Sequence, residues 1–137
     1  MRMKTKKELV RENDRIWSFL VKSKYHLTCQ MCGKPATEAH HIISRTEYNT
    51  RWDTDNGIAL CRECHRKIHD KMGNEEKEAF YRKIIGDDIY ELLLRKSKYI
   101  GSRDYGTVEG WNRILRSEFL QEFGMTWEEY LQEAKGL

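Results

Sequence analysis

Proline is nearly missing from this chain: Pro35 is the single one in 137 residues. Long apolar runs are missing too, and no stretch approaches the roughly 20 residues that a bilayer-spanning helix needs. The first residues, MRMKTKKELV, start basic but hold no apolar core segment, so they do not read as a secretory signal. Internal repeats and low-complexity tracts are absent. Cysteine is scarce, with four residues in all, and none lies outside one short segment. With 34% charged and 39% hydrophobic residues, these absences predict a soluble, ordered chain. Its length allows one domain with a modest core, or a small core carrying helical extensions.

The segment that holds the cysteines is residues 29–69. Cys29, Cys32, Cys61 and Cys64 all lie there, with four of the five histidines, His40, His41, His65 and His69. Two CxxC pairs in a chain without a secretory signal favour a metal site in a reducing compartment over a disulfide framework. The expected location is therefore intracellular, in the cytoplasm. A net charge of +3 is mild, but it is unevenly spread. Residues 1–24 carry eight basic side chains against three acidic ones, whereas residues 107–137 carry three against six. That asymmetry suits a polyanion touching the N-terminal half, although a solvated helix face produces the same charge run.

Taken in order, Thr5-Lys6-Lys7-Glu8 has the form of a capping box. It opens a helix in which Leu9, Ile16, Trp17, Leu20 and Val21 form an apolar stripe up to about Ser23. Residues 26–36 read as a short strand and a tight CxxCG turn, with Gly33 free to take positive φ. Residues 38–44 predict a strand carrying His40 and His41. Successive strand residues face opposite sides, so these two histidines have different surroundings. Residues 45–55 form a polar loop, Asn56-Gly57 is a turn signal, and residues 58–60 are a second strand. A helix follows from Cys61 to about Lys71, with His65 and His69 four apart on one face. Beyond Gly73, Asn74 is the expected cap of a helix that stops at Gly86, and residues 87–97 continue as another. A loop covers 97–106, a helix starts at Thr107 and ends near Gly124, and Thr126 caps a last short one. The segments are a basic N-terminal helix (1–24), a metal-bound core (25–73) and a helical C-terminal extension (74–137), together one structural domain.

Four thiolates in two CxxC knuckles are a usual structural zinc set. The spacing points to Cys29, Cys32, Cys61 and Cys64, with a mixed set of Cys29, Cys32, His65 and His69 as the alternative. His40, His65 and His69 converge on one cation if the strand packs on the helix. His41 then stays free of metal. A neutral imidazole with a pKa of roughly 6.5 is suited to take a proton from water, provided one ring nitrogen is fixed by donating to a backbone carbonyl.

These residues carry a resemblance. His40-His41-Ile42, Asn56-Gly57-Ile58 and Leu60-Cys61-x-x-Cys64-His65-x-x-x-His69, in that order, resemble the HNH (ββα-metal) endonuclease family in its form with a structural zinc between two CxxC knuckles. The resemblance implies an α+β, mostly helical chain built on a zinc-stabilised ββα-metal core. It implies hydrolysis of DNA phosphodiesters with His41 as general base and Asn56 bracing the loop that aims it; as a plain turn residue Asn56 would explain the same spacing. His40 and His65 are implied to hold a divalent cation, with His69 as the third ligand. Three imidazoles suit Mn²⁺, Ni²⁺ or Zn²⁺ better than Mg²⁺. Arg45, Arg51, Arg62, Arg66 and Lys67 are the candidate DNA contacts. More faintly, the leading helix, Arg51-Trp52-Asp53 and the tail around Gly86 resemble the NinG (Rap) family of phage recombination proteins. That likeness implies branched DNA as a partner and a junction-binding role with weak or no cleavage. The chain departs from it in having His40-His41 and His65.

Overall fold

Helix α1 (Lys6–Lys24) is the element on which the rest of the chain packs. A computed structural model describes residues 2–99 and 101–136; Ile100, inside the loop expected over 97–106, lies outside them, as do Met1 and Leu137. The capping box at the start of α1 is formed: Thr5 Oγ1 accepts from the Glu8 amide at 3.1 Å, and the Glu8 carboxylate accepts from the Thr5 amide at 3.0 Å. Two of the amides that a helix start leaves unpaired are thereby satisfied. Leu9, Asn13, Ile16, Trp17, Leu20 and Val21 are buried, a stripe wide enough to meet two neighbours.

The first neighbour is a two-stranded antiparallel sheet, β1 (Glu38–His41) and β2 (Gly57–Leu60). Its register pairs Glu38 with Leu60, Ala39 with Ala59, His40 with Ile58 and His41 with Gly57. Facing partners point to the same side, so Ala39, Ala59, His41 and Gly57 form the face turned to α1. Ile58 and Leu60 point the other way, into a core with Ile68 of α2 (Arg62–Lys71), Cys29 and Cys64. Because β2 is covered on both sides, all four of its residues are buried. Helices α3 (Asn74–Ile85) and α4 (Asp87–Ser97) close this core with Tyr81 and Tyr90.

The second neighbour of α1 is α5 (Tyr105–Phe123), followed by α6 (Trp127–Lys135). Val108, Leu115, Phe119 and Trp127 join the α1 stripe and Trp52 in a separate core. Burying side chains of this size stabilises by about 2–3 kcal/mol each. A buried polar pair fixes the register between the two long helices. Asn13 donates to the Val108 carbonyl at 3.1 Å, and Asn112 donates to Asn13 Oδ1 at 2.8 Å. The helical extension therefore divides, α3–α4 against the α2 side and α5–α6 against the back of α1.

Several local expectations need correction. The strand expected over 38–44 ends at His41, because both backbone groups of Ile43 are taken by the Asn56 side chain rather than by β2. Asn56-Gly57 is not a hairpin turn: Gly57 is extended, with φ −144° and ψ 150°. Only an isolated bridge, Thr28 with Pro35, stands for the strand expected in 26–36. The helix expected from Thr107 starts at Tyr105, because Asp104 caps it through the Thr107 amide at 2.8 Å. Gly73, not Asn74, is the cap of α3.

Candidate active site and metal centres

The knuckles come first. The turn Cys29–Gly33 closes by a bond from the Gly33 amide to the Cys29 carbonyl at 2.9 Å, with Gly33 at φ +80°. A left-handed residue there is easiest for glycine. The Gln30 amide donates to the Ala59 carbonyl at 3.0 Å, which lays this turn beside the end of β2, where Cys61 begins α2. The four sulfurs lie within 4.8 Å of one another, and Cys32 and Cys61 Sγ are 3.7 Å apart. Zinc–sulfur bonds of about 2.3 Å in a tetrahedron set sulfurs about 3.8 Å apart. The donor set and its spacing therefore fit a structural zinc, and all four cysteines are free thiols.

A second group forms on the other side of the α2 start. His40 from β1 and His65 and His69 from α2 bring ring nitrogens within 4.8 Å of one another, with ring centroids 4.9, 5.3 and 4.9 Å apart. Each of two rings is held from behind. The Glu38 carboxylate accepts from His65 Nδ1 at 2.9 Å, which leaves Nε2 as the nitrogen for a cation. His40 Nε2 and the Tyr81 hydroxyl are hydrogen-bonded at 2.7 Å. Burial, with His65 and His69 nearby, pushes the His40 imidazole down to about 3, while burial pushes the Tyr81 phenol up to about 12. Both are neutral at physiological pH. Imidazoles with carboxylate and hydroxyl partners behind them fit a divalent cation.

His41 stands apart from that cluster, on the α1 face of the strand. Its Nε2–H donates to the Arg51 carbonyl at 2.9 Å; a carbonyl only accepts, so the proton sits on Nε2 and Nδ1 is the basic nitrogen. Burial pushes this imidazole down to about 4, so it too is neutral at physiological pH. Asn56 is fully buried and uses both ends of its amide. Its Oδ1 accepts from the Ile43 amide at 2.7 Å, and its Nδ2 donates to the carbonyls of Ile43 at 3.1 Å and Thr50 at 2.9 Å. It thus ties the two ends of loop 43–50 together, next to the Arg51 carbonyl that meets His41.

Both histidine groups open on one groove of about 880 Å³. Asp14, Trp17 and Ser18 of α1 form one wall, and His65 and His69 of α2 with Asn74, Lys77 and Tyr81 of α3 form the other. Arg45 is exposed at its edge. Arg62 and Arg66 are exposed on α2; Arg66 stands about 100° round the helix from His65, whereas Lys67, also exposed, stands about 200° round and faces away. Arg51 departs from the expectation of a free DNA contact. Its Nε and Nη2 donate to Asp14 at 3.1 and 2.9 Å, and its guanidinium lies over Tyr48 and Trp52. Trp52 is fully buried and donates to the same carboxylate at 2.8 Å. Sequence reasoning missed Glu38, Tyr81, Asp14 and Trp17 as neighbours of the histidines. Glu38 had a signal, since it lies two residues before His40 on the same strand face.

Residues 29–71 match the family model described as HNH endonuclease. The match takes in both knuckles, β1, β2 and α2, under a third of the chain. It supports a nuclease-type function with DNA as substrate. No curated protein and no solved structure matches the chain, and nothing extends the likeness to the NinG family. Among the described residues no helix is long and apolar enough to cross a membrane.

Proposed function

We propose that the protein is a metal-dependent HNH endonuclease that hydrolyses DNA phosphodiester bonds with His41 as general base. The observation that carries this reading is the pairing, in one groove, of a three-imidazole cluster with a separate imidazole whose basic nitrogen is defined. His40, His65 and His69 would hold the cation, which when bound supplies a Lewis acid for the phosphate and for charge growing on the leaving oxygen. His41 Nδ1 accepts a proton from water as that water attacks phosphorus. The bond to the 3′ oxygen breaks, leaving a 5′ phosphate and, once the leaving oxygen is protonated, a 3′ hydroxyl. His41 then returns its proton to solvent. The Arg51 carbonyl holds the ring through Nε2–H and disperses part of the charge it gains. Asn56 keeps that carbonyl in place by closing loop 43–50. Arg45, at the groove edge, and Arg66, exposed on α2, would meet phosphates, and Cys29, Cys32, Cys61 and Cys64 would hold structural zinc that pins the insert between the knuckles.

The test is cleavage of supercoiled plasmid by zinc-loaded protein with Mn²⁺, Mg²⁺ or Ni²⁺ added, with His41→Ala beside it. Metal-dependent nicking or linearisation that the variant lacks is the expected result. Binding without cutting under every metal would refute the nuclease reading and favour a junction-binding role, for which branched substrates are the direct assay.

A further inference from the structure

The family match begins at Cys29, yet the side chain in closest register with His41 comes from α1. The Trp17 and His41 rings stack with centroids 3.9 Å apart and planes 6° from parallel. Trp17 is 2% exposed and donates from Nε1 to the Asp53 carbonyl at 2.8 Å, so its indole is fixed in plane. The contact depends on the sheet residue beside it: a Cβ on Gly57, the partner of His41 in the register, would sit 2.7 Å from Trp17 Cζ2 and 2.5 Å from Val21 Cγ2. One turn earlier on the same face of α1, Asp14 grips the Arg51 guanidinium whose own carbonyl receives His41 Nε2–H. Helix α1 thus reaches the base twice, once on the ring face and once through its hydrogen-bond acceptor.

We infer that Trp17 is a positioning residue for His41, an aromatic platform from outside the HNH segment that keeps the basic nitrogen aimed into the groove. The physical ground is the ring flip. Rotation of an imidazole about its Cβ–Cγ bond exchanges the places of Nδ1 and Cδ2, and midway the ring stands on edge. Against an indole 3.9 Å away there is no room for that edge-on state. The Arg51 bond selects the orientation, and Trp17 prevents excursions from it.

This inference rests on the endonuclease reading for its kinetic consequence but not for its structural one, so two readouts keep them separate. The full zinc-loaded chain is made as Trp17→Phe, Trp17→Leu and Trp17→Met, with fold and zinc content checked first. His41 ring resonances are identified by their loss in His41→Ala. In wild type they should show a single Nε2–H tautomer and ring protons shifted upfield by the indole. Trp17→Phe should keep the tautomer with a smaller upfield shift. Trp17→Leu and Trp17→Met should lose the shift and show both tautomers. In plasmid cleavage, the aliphatic variants should lose kcat on the order of 10–100-fold with KM for DNA unchanged, and Trp17→Phe should recover most of it. A single tautomer in the aliphatic variants, or kcat equal to wild type, would overturn the inference. So would equal losses in Phe and Leu that follow stability alone. If wild type cuts nothing, the endonuclease reading fails, and the tautomer measurement still decides whether Trp17 is the platform.

Discussion

Adding one methyl group at Gly57 should loosen the contact between α1 and the two-stranded sheet. The backbone there is extended, so alanine is conformationally allowed, and on chain entropy alone Gly57→Ala would stabilise a strand by about 0.5–1 kcal/mol. The space does not allow it. The new Cβ would stand 2.5 and 3.0 Å from the two methyls of Val21 and 2.7 Å from the Trp17 ring, where apolar carbons rest about 3.5–4.0 Å apart. Val21 is fully buried and Trp17 nearly so, and neither can swing aside, so α1 must move out by about 1 Å. Overpacking of this kind costs about 1–3 kcal/mol, more than the entropic gain. We expect a net loss of about 1–2 kcal/mol, seen as a lower urea midpoint at unchanged slope in the zinc-loaded protein. Cleavage should fall further than stability, because the same shift separates Trp17 from His41. Gly86→Ala is the contrasting control: at φ +88° it has nothing within 4 Å of a new Cβ, so its cost is conformational and should leave cleavage unchanged. A Gly57→Ala protein as stable as wild type would refute the packing argument.

Removing zinc with a strong chelator should unfold residues 29–69, since structural zinc contributes on the order of 10 kcal/mol to small modules of this kind; unchanged circular dichroism and melting would count against a four-thiolate site. Glu38→Gln should weaken binding of Mn²⁺ or Ni²⁺ by about 10–100-fold in calorimetry, because the carboxylate that accepts from His65 Nδ1 is lost; equal affinity would remove Glu38 from the site. His40 and His41 are held down to about 3 and about 4, below their unfolded values, so between pH 6.5 and those values the unfolded chain binds more protons and stability should drop as pH falls. The slope is up to about 1.4 kcal/mol per pH unit for each ring, measured as urea midpoints from pH 7 to 5 with zinc content followed, and a flat profile would contradict it. Arg45→Gln and Arg66→Gln should each lower the salt dependence of DNA binding by about 0.9 in slope, whereas Arg51→Gln should lower stability by about 2 kcal/mol, because its partner is Asp14.

The parts of this site that were legible in the sequence are those fixed by local spacing. Two CxxC turns announce a thiolate set wherever the chain brings them together, and His65 and His69 share a helix face by period alone. Adjacent residues on a strand part to opposite faces, so the different surroundings of His40 and His41 followed once the strand was drawn. What the sequence could not show depends on tertiary contact. Gly57 reads as a turn glycine after asparagine, but it serves a close approach by Trp17 and Val21 from a helix over thirty residues away in sequence. Arg51 reads as a free cation in a polar loop, and only packing brings it to Asp14. Asn56 was the open case between turn and brace, and nothing local distinguishes them; its three bonds reach Ile43 and Thr50 across the loop. Tyr81 lies in a helix whose apolar residues look like ordinary core, and most of them are.

The alternation that parts the two histidines also assigns each to a different helix outside the matched segment. His40 turns toward α2 and α3 and meets the Tyr81 hydroxyl; His41 turns toward α1 and meets Trp17. The two histidines are therefore neighbours in sequence but are held by separate packing surfaces, one on each side of a two-stranded sheet. In a ββα segment alone, with those helices removed, Ala39, Ala59 and Gly57 would leave the His41 face of the sheet nearly bare of side chains. The Arg51 carbonyl would still meet His41 Nε2, but no ring would stand against the imidazole face to block a flip. On the endonuclease reading, the short motif supplies the chemistry, and the long helices around it supply the aim.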